Sequence, residues 1–479
     1  MISRADDGAA VGTASGGDTD AIVSALANYA LEVDADLPGP TRDEVRRKVI
    51  DVVACAYGAF DEPAVDAVRR YVRAHDHPGP ALVWGTTMRV ATPLAAIANG
   101  TAVRCLDYND GYQGVRGDAG GHPSDIVPAM LAVAEEAGAS GADAAVAIAL
   151  AYEVEVCLAD AWRVKKHGVL DHVNAQALAA CCGAARLLGL SQQELQEALA
   201  ISAVAHVGLW QARKNQVRMW KSVAAGNAMR NAIECCYLAR AGVQGPSRPF
   251  EGSAGLLHAA GDEDGIWWEA LDSIVQKQAP TRIRDTNMKC WPVGQVGQSS
   301  VDVAVELHGE IDDFGDIKEI VISTFESAAR SMCREDNWKP LTRESADHSL
   351  PYATVAALYD GNITRDTFLE ERLAEGRIQQ LLDTIVRVDV LDEFTAQYPE
   401  AQPARIEVVM GDGRRLLAES RYPRGHARNP NRVGDTDYEK KFRELVTPVI
   451  GDRTDGVLGA LAALESWDSV SAMLDELRF

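Results

Sequence analysis
The chain has 479 residues, 47% of them hydrophobic and 24% charged, with 47 basic against 70 acidic residues and a formal charge of −23. That is the composition of a globular protein of two or three domains, or one large domain with an insert. It lacks the basic footprint that nucleic-acid or anionic-membrane binding needs, so any anionic substrate must be collected by local positive charge.

Residues 1–19 are rich in Gly, Ala, Ser and Asp and read as a disordered tail. From Asp20 to about Asp272 the apolar spacing is helical, with no strand alternation. Thr41-Arg-Asp-Glu44, Ser140-Gly-Ala-Asp143 and Ser191-Gln-Gln-Glu194 read as helix-starting capping sequences. The small residues of Lys221 to Ala241 predict close helix packing. After Ala279-Pro280 the period changes. Glu319 to Thr324, Val386 to Leu391 and Ala404 to Met410 read as strands, with a turn signal at Gly411-Asp412-Gly413. Helices are expected at Gln298 to Leu307, Tyr352 to Leu358 and Asp366 to Leu382. From Thr436-Asp-Tyr-Glu439 the pattern is helical again. The expected fold class is mainly α: an all-helical body from 20–278 and 430–479, with an α+β lid domain inserted at 279–429.

The nine cysteines include the pairs Cys181-Cys182 and Cys235-Cys236 but no CxxC spacing. They read as buried thiols in a reducing compartment, the cytoplasm. No apolar run reaches the roughly 18 residues of a membrane span.

Chemistry-bearing residues concentrate in Arg104 to Ser124 (RCLDYNDGYQGVRGDAGGHPS). Asp107 and Asp110 stand where an apolar helix should end. A Gly-rich loop follows and closes on His122-Pro123-Ser124. A plain surface loop with helix caps is the competing reading. His172 lies at the start of a buried helix, where the dipole opposes protonation. Lys221 also stands at a helix start, the end that cations do not prefer. This marks it for an anion-binding or catalytic role, with a solvated lysine as the alternative. Lys289 leads into the turn-rich stretch Cys290 to Gln298, and Asp347, His348 and Tyr352 gather just before another helix. No metal, P-loop, GxSxG or GxGxxG spacing is met.

The ordered set LDYND…HPSD, DHV, WKSVAAGNA, GPSRPFEGSAG, ADHSLPY and YPRGH resembles the MmgE/PrpD family over nearly the whole chain after the tail. That family includes 2-methylcitrate dehydratase, cis-aconitate decarboxylase and iminodisuccinate epimerase. The resemblance implies a homodimer, a helical body with an α+β lid over the site, and no metal or organic cofactor. It implies catalytic roles for Asp107, His122, His172, Lys221 and Tyr352. Arg104, Lys289 and His348 are further candidates for substrate binding, with a plain connecting turn and a solvated lysine as the competing reading of Lys289. The implied activity is a lyase on a di- or tricarboxylate, most simply 2-methylcitrate dehydration. The alternatives are an epimerase or decarboxylase, or a non-catalytic binding member. Two departures stand out. Gly111 replaces the family's usual threonine, in a longer loop. In WPVGQVGQ, Val296 replaces a histidine and Gly294 a glutamate.

Overall fold
The computed structural model describes residues 20–478 except 76, 77, 118, 119, 163, 165–167, 216 and 263. The tail expected over 1–19 therefore lies outside the described residues. Helix accounts for 59% and strand for 9%, which makes the fold mainly α with a minor α+β part. The longer helices and the strands are numbered here in chain order.

The first half holds α1 (Ala21–Glu32), α2 (Gly39–Gly58), α3 (Pro63–Ala74), α4 (Thr92–Cys105), α5 (Val127–Ala137), α6 (Gly141–Ala161), α7 (Val173–Leu188), α8 (Gln192–Ala205) and α9 (Trp220–Arg240). Ser140 and Ser191 each accept the backbone N–H three residues on, as a capping box requires. The sequence Thr41 to Glu44 does not cap. Pro38 precedes α2, and the Thr41 hydroxyl donates instead to the Pro280 carbonyl at 3.1 Å. A short antiparallel hairpin, β1 (Pro78–Leu82) with β2 (Arg89–Val90), interrupts the helices where none was expected. Its segments are too short to establish a period of two.

The expected close packing falls on α4 and α9. A Cβ on Gly100 would sit 2.8 Å from Gly226 Cα, and one on Gly226 would sit 2.8 Å from the Ile97 carbonyl. Only glycine permits that approach, and it brings the end of α4 towards the start of α9.

The α+β part holds α10 (Gln298–His308), β3 (Ile317–Thr324), α11 (Leu350–Asp360), β4 (Val386–Val390), β5 (Ala404–Met410) and β6 (Arg415–Ser420). The sheet order is β4-β3-β5-β6, parallel between β3 and β4 and antiparallel elsewhere. The strand β6 follows the Gly411–Gly413 turn. The helix expected over 366–382 is broken into short helical segments, Glu370–Ala374 and Arg377–Thr384 among them, with Gly376 at φ 70° between those two.

The chain returns through α12 (Asp435–Ile450), α13 (Thr454–Ala462) and α14 (Val470–Asp475). Helix α12 starts one residue before Thr436, and Asp437 accepts the Gly434 N–H at 2.9 Å. Two large cores result. One joins Ile22 through Ile283 with Phe442 through Leu477; the other runs from Cys290 to Met410. Each fully buried large apolar side chain contributes about 1.5–3 kcal/mol. No helix among the described residues is long and apolar enough to cross a membrane.

Candidate active site
Helix α4 ends at Cys105, and Asp107 follows with φ 49°, a left-handed conformation that costs energy outside glycine. The turn sends its carboxylate back onto Arg104, which donates to it from Nη1. Lys289 approaches from the α+β part, with Nζ 3.0 Å from Asp107 Oδ1 and 2.8 Å from the Asp107 carbonyl. Burial works against ionisation, but Arg104 and Lys289 hold the Asp107 carboxyl well below its ordinary range. Lys289 is pushed down to about 8 by burial, against the pull of Asp107.

The loop after Asp110 is pinned where Tyr112 and Gly121 exchange two backbone hydrogen bonds, at 3.0 and 2.8 Å. A Cβ at Gly121 would lie 3.0 Å from Glu155 Oε1 and 3.2 Å from the His172 ring, so a larger residue there would crowd both side chains. His122 follows. Its Nδ1 donates to the Asp110 carbonyl at 2.7 Å, leaving Nε2 to accept from Arg104 Nη2 at 2.9 Å. The Asp110 side chain secures the same loop by accepting the Ser124 N–H at 2.9 Å. It is itself held by Tyr152 at 3.1 Å and by the buried Lys48 ammonium at 3.3 Å. Burial, then Arg104 and Lys289, push His122 well below its ordinary value, so it is neutral at pH 7.

His172 lies 5.5 Å from His122, ring centre to ring centre. It immediately precedes α7. Its Nδ1 is 2.8 Å from Asp171 Oδ1, while Arg213 spans Asp171 Oδ2 at 2.8 Å and His172 Nε2 at 3.4 Å. Lys221, in the first turn of α9, reaches Asp347 Oδ1 at 3.0 Å and His348 Nδ1 at 3.1 Å. His348 Nδ1 also meets Asp347 Oδ1 directly, and its Nε2 lies 3.4 Å from Asp107 Oδ2. Lys221 and His348 hold Asp347 below the usual carboxylate range against the opposite pull of burial.

These groups surround a cavity of about 870 Å³ between the helical body and the α+β part. Its walls include Arg104, Arg213, Lys214, Lys221, Arg330 and Arg334, against the carboxylates of Asp107 and Glu326. A chain of charge −23 thus presents a locally cationic hollow. Val296 and Met332 give it an apolar stretch of wall. Asp107, Asp347 and His348 offer ligand atoms within 4.8 Å of one another, a spacing that would suit a metal ion. Lys221 and Lys289, however, already supply the positive charge between those carboxylates.

Of the residues singled out from sequence, Arg104, Asp107, His122, His172, Lys221 and His348 line the cavity, and Lys289 lies buried behind Asp107. Tyr352 is not brought to it. Two residues into α11, its ring is fully buried in the α+β core, and its hydroxyl donates to the Thr367 carbonyl at 3.0 Å. The expectation of a tyrosine placed over the substrate is corrected accordingly: α11 turns that position inward. The YPRGH stretch packs instead against Asn287 and Met288, where Ala427 N–H meets Asn287 Oδ1 at 2.8 Å. Sequence reasoning missed Arg213 and Lys48. The repeated Asp-His dipeptide was the available signal for the partners Asp171 and Asp347.

The chain matches the MmgE/PrpD N-terminal domain over residues 9–268 and the MmgE/PrpD C-terminal domain over residues 291–463. It is 24% identical to cis-aconitate decarboxylase of Homo sapiens over 465 residues, 90% of this chain and 89% of the relative. It is 26% identical to the mitochondrial 2-methylcitrate dehydratase of Yarrowia lipolytica over 482 residues, 96% of this chain and 89% of that one. The 2-methylcitrate dehydratase of Salmonella typhimurium is 26% identical over 406 residues, 79% and 81% of the two chains.

Proposed function
The chain belongs to the MmgE/PrpD family, and on that premise we propose that it is a cofactor-independent lyase acting on a di- or tricarboxylate, most simply 2-methylcitrate dehydration to 2-methyl-cis-aconitate. The observation that carries this reading is the cationic cavity in a strongly acidic chain, with three histidines on its wall.

Removing a proton next to a carboxylate leaves charge on that carboxylate. The reaction therefore needs a base and preorganised cations or hydrogen-bond donors. In this reading Lys221 anchors a substrate carboxylate, with Arg104 and Lys289 keeping Asp107 ionised beside it. His172, oriented by Asp171, moves a proton. His122, neutral and held by Asp110, shapes the floor and accepts a hydrogen bond. The α+β part serves as the lid.

A second reading has one observation in its favour. Val296 lines the cavity where the family's usual residue would bring a titratable group. Loss of that group suits epimerisation or decarboxylation, which need no protonated leaving hydroxyl. The proposal includes a homodimer, supported by the exposed apolar side chains of Val207, Leu209, Met219 and Trp220 close to the cavity-lining Trp210 and Val217.

The test is incubation of the pure protein with 2-methylcitrate, citrate, cis-aconitate and iminodisuccinate, with products identified by NMR. Formation of 2-methyl-cis-aconitate supports the first reading. Decarboxylation of cis-aconitate or epimerisation of iminodisuccinate, without dehydration of either citrate, supports the second. No conversion at all contradicts both.

A further inference from the structure
We propose that His348, oriented by Asp347, is the base that takes the substrate's proton from the carbon next to a carboxylate. This rests on the carbon-acid reading above and names the residue that begins the reaction.

The cavity wall carries two Asp-His dipeptides with the same internal arrangement. In each, the aspartate carboxylate meets Nδ1 of the following histidine, at 2.8 Å for Asp171 and His172 and in direct contact for Asp347 and His348. At His348 the short contact with Asp347 Oδ1 places the imidazole proton on Nδ1, Lys221 donating to Asp347 rather than to the ring, and leaves Nε2 as the lone pair. The first pair comes from the helical body and the second from the α+β part.

Three features single out the second pair. His348 is partly open to the cavity, with 31% of its side chain accessible. Its ring edge is uncovered because residue 294 is glycine. A Cβ there would lie 3.7 Å from His348 Cδ2 and 3.0 Å from Met332 Sδ. A longer side chain at 294 would have to enter the same space. Finally, among the described residues lining the cavity, His348 is the one histidine that the α+β part contributes, since position 296 holds valine.

The surroundings suit a base. Lys221 on α9 lies 3.1 Å from Nδ1, and Asp107 after α4 lies 3.4 Å from Nε2, itself paired with Lys289 at 3.0 Å. On its own segment Asp347 touches the ring, and Arg343 stands 3.8 Å from Asp347. Burial and then Lys221 lower the His348 value, against Asp107 and Asp347. The imidazole is therefore unprotonated at neutral pH. In the step, a new Nε2–H bond forms as the substrate C–H bond breaks. The electron pair stays on the substrate as an enolate-like carboxylate, next to the Lys221 ammonium. The new imidazolium lies between two carboxylates.

The experiment follows exchange of the substrate proton in deuterated water by NMR, using the same four carboxylates as probes. The wild type is expected to exchange, with an acid limb in its pH profile below the ordinary histidine value of about 6.5. His348→Gln is expected to lose exchange by about 10²-fold or more while keeping its melting temperature and KM, and to lose the acid limb. His348→Ala is expected to recover exchange on addition of imidazole, which a packing role would not allow. Exchange by His348→Gln within a few-fold of wild type overturns the assignment, as does a His348→Ala variant that imidazole does not restore. If His172→Gln abolishes exchange while His348→Gln does not, only this assignment falls. If the wild type neither exchanges nor converts any of the four, the reading of the function falls with it.

Discussion

Asp107 and His348 face each other across the boundary between the helical body and the α+β part, Oδ2 to Nε2 at 3.4 Å. The first is carried at the end of α4 by a left-handed turn, the second on the loop before α11. The cavity exists where these two segments meet. Its charges are paired before any substrate arrives: Asp107 with Arg104 and Lys289, Asp347 with Lys221, and Asp171 with Arg213.

Lys221→Ala is expected to lower kcat/KM by roughly two or more orders of magnitude, or about 3 kcal/mol of charge-assisted support. It also leaves the fully buried Asp347 without its closest cation. Breaking a buried pair costs about 3–5 kcal/mol, so a lower melting temperature should accompany the kinetic loss. Kinetics must be read well below that temperature. Near wild-type kinetics on the true substrate would rule out the anchoring role.

Val296→His places a group titrating near neutral pH on the cavity wall. The pH–rate profile or the product distribution should change more than the stability does. An untouched profile would mean that position 296 does not meet the substrate.

Gly111 and Gln295 are expected to be coupled. A Cβ at 111 would lie 2.6 Å from Gln295 Oε1, so Gly111→Thr forces that side chain to move. The single variant should be destabilised and Gln295→Ala should relieve it. A double-mutant cycle in denaturant should give a coupling of about 0.5 kcal/mol or more. Strict additivity would contradict the contact.

Asp107 sets an acid limit on stability. Its folded-state value lies well below that of an unfolded aspartate, about 3.9. Its contribution is therefore fully present above about pH 4 and is lost as pH falls through the lower folded value. Denaturant titrations from pH 5 to pH 2 should show this decline. Asp107→Asn should be less stable at pH 7 and decline less on acidification. Parallel curves would mean that the ion pairs with Arg104 and Lys289 contribute nothing net.

Exhaustive chelation should leave activity intact. Asp107, Asp347 and His348 have ligand spacing, but a divalent ion would have to compete with Lys221 and Lys289 for the same oxygens. Activity lost with EDTA and restored by one metal would contradict this.

The helices were legible in the sequence because their apolar periods are long and Ser140 and Ser191 have local caps. Three of the strands could be read from their alternation. What escaped was decided by tertiary contact. Thr41 looks like a cap but turns to Pro280, and the hairpin β1–β2 is too short to show a period. For the site, spacing placed Asp107, His122, His172 and Lys221 on the ends of elements, and those ends converge. Tyr352 was misplaced because sequence gives its distance from His348 but not the direction in which α11 points it. Arg213 was missed because its partner Asp171 is 42 residues away and no period links them.

The most direct measurement of the central claim is proton exchange by the wild-type protein in deuterated water, followed by NMR on 2-methylcitrate, citrate, cis-aconitate and iminodisuccinate. The account predicts that at least one of them exchanges or loses its proton from the carbon beside a carboxylate, on a timescale that Lys221→Ala lengthens by about 10²-fold. Unchanged spectra for all four at stoichiometric protein would contradict it.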